Sequence, residues 1–272
     1  MSTGTTAKNK STPGSPLHHA APSTGMDTFL EICTQFARKY LFLDVSTRAI
    51  VYLVFVLVLS LIAEYIPLPM DYYLTQKHNV FNRFGTKMGW FWTCLLLCPF
   101  IWLTSHCHHG SKSRALYDLS RMGVATFLWF IHVEQRTGKC HGALNSERFT
   151  CSVDGGKWIP GFDISGHSFL LIYSMLIICE ERSRPTPQHI PNRFEYENFK
   201  ELTKTIRYLF LGLFVLHLVW DFQLIVTALF YHTALHKLLG AIIAVLCWFV
   251  TYRVWYPVAF PSCHYQISAL LA

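Results

Sequence analysis

Two histidines at the ends of apolar runs carry the chemistry in this sequence. His167 stands in "GFDISGHSF" (161–169), behind Ser165 and Gly166, and His232 stands in "LFYHTALHK" (229–237). Imidazole titrates near neutral pH. A pair can therefore share phosphoryl transfer: one neutral ring attacks phosphorus and one protonated ring gives its proton to the departing oxygen. A cation beside them would steady the phosphate charge, and Lys87 precedes a third apolar run. Gly166 allows close backbone approach to an anion. Ser165 can cap a helix that begins there, and the N–H groups of such an end bind phosphate. Asp163 either orients the imidazole or faces water. The alternative for both histidines is plain anchoring of helix ends at a membrane surface.

Other polar residues have to be weighed beside them. His217 and Asp221 are four apart in an apolar run, so they share a helical face. Asp221 and His232 are eleven apart, about three turns or ~16 Å, too far for contact. A membrane carboxylate is a functional candidate by default. The stripe either lines a polar cavity or is a buried pair holding helices together. The run "HCHHG" (106–110) reads as a short exposed loop with no distant partner cluster, so no metal is expected there. The nine cysteines contain no CxxC pair, which argues against structural zinc. Cys140 and Cys151 fall in one loop and are either bridged or two thiols.

The elements that must position these groups are membrane spans. Of the 272 residues 52% are hydrophobic and only 14% charged, where a soluble domain carries nearly twice that charge. Residues 1–26 are rich in Ser, Thr, Pro and Gly and read as a disordered tail without an apolar signal region. Residues 27–45 alternate apolar and charged side chains and predict an amphipathic, membrane-lying helix. Six spans are expected within 46–257, at about 48–66, 88–105, 115–134, 165–180, 206–231 and 237–256, with Pro99 inside the second and a short tail at 258–272. Six spans place both termini on one side. That side holds 14 of the 23 Lys and Arg residues against 8 opposite, so both termini are expected in the cytosol. The net charge of +7 thus follows membrane orientation, and nucleic acid is not an expected partner. The sequon at Asn9 should stay unmodified on this topology. His167, His232 and Lys87 then converge on the lumenal face.

"GFDISGHSFLL" (161–171), "LFYHTALHKLLG" (229–240), "TYRVWYP" (251–257) and "KHNVFNRFGTKMGWFWT" (77–93) resemble the fat storage-inducing transmembrane (FIT) protein family, over about residues 50–257. The resemblance implies a six-span, all-α protein of the endoplasmic reticulum membrane that supports lipid droplet biogenesis. It also implies a core like that of the lipid phosphate phosphatases, distant relatives of the family. Ser165-Gly166-His167 matches their Ser-Gly-His motif, whose histidine protonates the leaving group, and His232 matches their nucleophile. The activity implied is hydrolysis of fatty acyl-CoA at its diphosphate, giving acyl 4′-phosphopantetheine and adenosine 3′,5′-bisphosphate. Diacylglycerol and triacylglycerol are the implied lipid partners. Val226 stands where the phosphatases carry an Arg six residues before the nucleophile, and His236 where they carry an Asp four after it.

The leading expectation is a lumen-facing acyl-CoA diphosphatase without a cofactor. His167 and His232 are its catalytic pair, Lys87, Ser165 and Gly166 its phosphate contacts, and Asp163, Asp221 and His217 its supporting groups. A non-catalytic protein that partitions neutral lipid is the first rival. A transporter that uses the His217–Asp221 stripe as a proton relay is the second.

Overall fold

The computed structural model describes residues 25–41, 43–66, 69, 73–76, 79–86, 88–109, 112–134, 139–141, 153, 155–159, 165–182 and 193–259. Helix α1 (Gly25–Leu41) packs on a later helix and turns Phe29, Ile32 and Phe36 outward. Asp44 accepts from the Thr47 N–H at 3.1 Å and caps α2 (Val45–Tyr65), which ends just before Pro67. A 3-10 turn (Tyr73–Thr75) and a π-helical turn (Phe81–Thr86) lead into α3 (Gly89–His109), then α4 (Lys112–Glu134). Next come α5 (Gly166–Arg182), α6 (Arg193–Phe230) and α7 (Ala234–Phe249). The last continues through a π-helical turn (Val250–Trp255) into the short α8 (Tyr256–Ala259).

Helix α5 is the axis of the bundle. Every residue from Ser168 to Cys179 is buried, against α2, α3, α4, α6 and α7. A helix that is apolar all round has no face to give to water and belongs inside. At both ends of α5 its polar residues meet those of other elements. His167 stands at one end, and Glu181 stands about 21 Å further along the axis, at 1.5 Å per residue.

Among the described residues, three helical stretches are long and apolar enough to cross a membrane: Val45–Tyr65, Lys204–Phe230 and Ala234–Ala259. Two expectations need correction. The fold is not purely helical: β1 (Lys139–His141) and β2 (Lys157–Ile159) pair antiparallel, Cys140 opposite Trp158. These three-residue strands lie outside the bundle, where helical periodicity gives no signal. "HCHHG" is not a loop either: His106 to His109 complete α3, since no glycine or proline interrupts the ladder between Pro99 and Gly110. Cys140 is disulfide-bonded. Cys151, the terminal tails up to residue 24 and from 260, and Asn9 lie outside the described residues.

Candidate active site

The start of α5 is held by backbone contacts. Ser165 donates its N–H to the His236 carbonyl at 3.1 Å, and its own carbonyl accepts from Phe169 at 3.1 Å. Its Oγ receives the Ser168 N–H at 3.4 Å and lies 3.2 Å from the Ser168 hydroxyl. Ser165 is wholly buried, and its Oγ caps the start of the helix. Gly166 is exposed, and a Cβ there would meet nothing within 4 Å, so the helix end is open to an approaching group. Gly240 of α7 is the opposite case. A Cβ on it would lie 2.6 Å from the Ser165 carbonyl oxygen and 3.3 Å from the Phe169 nitrogen. Both atoms are backbone and cannot swing away. Gly240→Ala is expected to push α5 and α7 apart and cost about 1–3 kcal/mol as overpacking does. Thermal unfolding of the purified variant checks this.

His232 sits in the turn between α6 and α7 with φ 60, the one described non-glycine residue at positive φ. That left-handed conformation costs about 1–2 kcal/mol for an ordinary L-residue. Such strain persists where the surroundings over-determine it, often at functional sites. Lys237 supplies part of that support. It is buried, and its Nζ donates to the Ala228 carbonyl at 2.5 Å, a cation at the C-terminal end of α6.

The turn brings His232 beside His167: their ring centroids are 6.0 Å apart, with the planes tilted by 44°. Tyr231 stacks on His167 at 6.1 Å and 9°. Burial pushes the Tyr231 phenol above its usual pKa, against a smaller opposing effect of Asn79. The ring is therefore neutral at physiological pH and acts as a wall. Asn82, from the π-helical turn, accepts the Nε2–H of His167 on its Oδ1 at 2.8 Å. Sequence reasoning missed Asn82, Tyr231 and Lys237. The asparagine lies 85 residues from His167, and no periodicity links the two. The adjacency of Tyr231 to His232 was the one usable signal. Lys87 and Asp163 lie outside the described residues, and Val226 is buried.

Comparison with known proteins bears on the same segments. The model of the fat storage-inducing transmembrane protein family matches residues 70–143 and 132–252, which include His167, His232 and Asn82. This chain belongs to that family. A Caenorhabditis elegans protein named acyl-coenzyme A diphosphatase FITM2 is 41% identical over 254 residues, covering 89% of this chain and 90% of the relative. The Drosophila melanogaster protein of that name is 33% identical, over 88% of this chain and 64% of its own length. The Homo sapiens one is 35% identical, over 74% and 79%. No solved structure matches the chain.

Two further polar networks run through this FIT protein, both away from the histidine pair. In the first, His217 Nε2 is 3.7 Å from Asp221 Oδ2. Arg48 of α2 donates to His217 Nε2 at 3.0 Å and to the Tyr40 carbonyl at 2.7 Å. Tyr40 and Tyr52 donate to Asp221 at 2.7 and 3.1 Å. The pair thus ties α6 to α1 and α2. The second network joins Arg121 to Asp118 and Glu181 at the far end of α5.

Proposed function

We propose that this FIT protein is a fatty acyl-CoA diphosphatase of the endoplasmic reticulum membrane, with its two-histidine site on the lumenal side. The observation that carries this reading is the 6.0 Å separation of the His167 and His232 rings. It leaves room for one phosphoryl group between an attacking and a donating imidazole, for which we take ~4–8 Å as the workable range. The names of the relatives supply the substrate. α3, α4 and α5 are read as spans beside the three apolar stretches, giving six in all with both termini cytosolic. The acyl chain then lies among the helices and the nucleotide faces the lumen. Diacylglycerol and triacylglycerol are carried over from the family resemblance as lipid partners.

In the first step a nitrogen of neutral His232 attacks one phosphorus of the diphosphate. An N–P bond forms, the bridging P–O bond breaks, and the leaving oxygen takes a proton from the His167 imidazolium. In the second step neutral His167 takes a proton from water, whose oxygen attacks the phosphohistidine. The N–P bond breaks, neutral His232 is restored, and the imidazolium is ready again. The open end of α5 at Gly166 offers its N–H groups to phosphate oxygens, and Lys87 is assigned the balancing cation. Ser165 holds that end in place.

Product identity tests the reading. Purified protein given a long-chain acyl-CoA in H2(18)O should yield acyl 4′-phosphopantetheine and adenosine 3′,5′-bisphosphate in equal amounts. One product should carry a single heavy oxygen on the phosphoryl group that was attacked. Free fatty acid with intact coenzyme A would mean thioester hydrolysis and defeat the proposal.

A further inference from the structure

We infer that Asn82 is the positioning residue for His167, its side-chain oxygen holding the Nε2–H and so setting the tautomer and plane of the ring. The inference rests on the reading of His167 as the acid of the diphosphatase.

The geometry around Asn82 closes a circuit. His167 donates Nε2–H to Asn82 Oδ1 at 2.8 Å. The Asn82 backbone N–H is fixed in turn by Asn79 Oδ1 at 2.6 Å. Asn79 donates its Nδ2 to the Tyr231 hydroxyl at 3.1 Å, and Tyr231 stacks on His167. Tyr231 also donates its hydroxyl proton to the Gln76 carbonyl at 3.2 Å, while the Tyr73 hydroxyl accepts the Val80 N–H at 2.9 Å. Both asparagines are almost fully buried, Asn79 at 1% and Asn82 at 7% exposed. A buried carboxamide is retained only where its polar atoms are matched. Here the match runs from one chain segment, residues 73–82, to two ring residues brought in from α5 and the α6–α7 turn. The π-helical turn that carries Asn82 is itself a rare conformation, frequent at functional sites.

The choice of an uncharged acceptor has a chemical consequence. With Nε2–H committed to Asn82, the reaction uses the proton on Nδ1. A carboxylate in this place would favour the imidazolium and raise its pKa, as an opposite charge does. The carboxamide orients the ring without placing a charge beside it. Among the described residues, the titratable groups seen against His167 are the Tyr231 phenol and the His232 imidazole, both from the turn after α6. A carboxylate at 82 would add an anion on the side where Asn82 now stands.

Two variants of the full-length protein test the inference, with acyl-CoA hydrolysis measured from pH 5 to 10. Asn82→Asp nearly preserves shape, and its alkaline limb of kcat should move up by about one pH unit or more, since the protonated acid survives to higher pH. Asn82→Leu should lose about 10²-fold in kcat, as loose placement of a reacting group does, with KM unchanged. Asn82→Asp decides the matter if Asn82→Leu does not fold. A wild-type limb in Asn82→Asp, with His167→Ala inactive, overturns the positioning role and leaves the diphosphatase reading standing. Wild-type turnover in His167→Ala removes both.

Discussion

His167→Ala should lose about 10²- to 10⁴-fold in acyl-CoA turnover, the usual worth of a positioned general acid, and His232→Asn should fall to background because no covalent step remains. Asparagine is the right replacement at 232. It removes the imidazole yet tolerates the left-handed backbone of φ 60, so folding and chemistry are separated. Alanine suits 167 because the ring projects from a regular helix whose cap, Ser165, is untouched. Substrate labelled in the diphosphate should leave a labelled protein, one half of the substrate joined through its phosphorus to the His232 nitrogen, whenever His232 is present and none when it is absent. The double variant should be no worse than His232→Asn alone, since residues that act as one unit are not additive. Full turnover in both single variants, with unfolding temperatures unchanged, would leave no place for the two-histidine mechanism. Droplet formation rescued by a double variant that has lost turnover would instead favour the neutral-lipid partitioning role.

The second large effect lies at the other end of α5 and concerns stability. Arg121 is 1% exposed. Its Nε and Nη2 grip Glu181 at 2.6 and 2.8 Å, and its Nη1 meets Asp118 at 2.6 Å. Tyr252 donates to Glu181 at 2.8 Å, Tyr256 to Asp118 at 2.9 Å, and Ser105 to Asp118 at 2.5 Å. The guanidinium also lies over the Tyr256 ring at 4.4 Å. Through Asp118 and Glu181 this side chain links α3, α4, α5 and the segment that carries Tyr252 and Tyr256. Arg121→Met leaves two carboxylates buried without their cation, and the expected loss is about 3–5 kcal/mol. Thermal unfolding in detergent measures it. Arg121→Lys should rescue poorly, because a single ammonium cannot reproduce the bidentate fork. Replacing Arg121 and Glu181 together by methionine should recover part of the loss, since no charge at 181 is then stranded. A double variant less stable than Arg121→Met would refute this account. Because the network is about 21 Å from His167 along α5, folded Arg121→Met should keep the wild-type KM.

The legible part of this molecule follows from a few physical regularities. Long apolar runs predict helices, and the starts near 45, 89, 112, 166 and 234 agree with the expected spans within a few residues. α6 was less legible at its beginning. It starts at Arg193, well before the apolar run, because charged residues extend a helix without leaving a hydropathy signal. His167 and His232 were singled out by residue type and by their place at helix ends, and the fold brings them together. The contacts around them were not legible. No pattern marks Asn82, and Lys237 merely falls at the start of the span expected at about 237–256, whereas it closes the end of α6. Arg121 and Glu181 were visible as charges in or beside spans, but their pairing depends on how α4 lies against α5, which no local pattern encodes.

The sequence by itself therefore determined the helical membrane class, the family and the two imidazoles, because hydropathy, helix-ending residues and a local motif are all short-range properties. Only the tertiary structure decided what surrounds those imidazoles. It showed that α5 is wrapped on all sides and that Gly240 lets α7 touch the backbone of Ser165. It set His232 in a left-handed turn and brought Asn82 to a ring 85 residues away. The physical reason is that hydrophobic burial is non-directional and specifies which segments go inside. Hydrogen bonds and close backbone contacts are directional and specify which residues meet, and they come into being only when the helices pack.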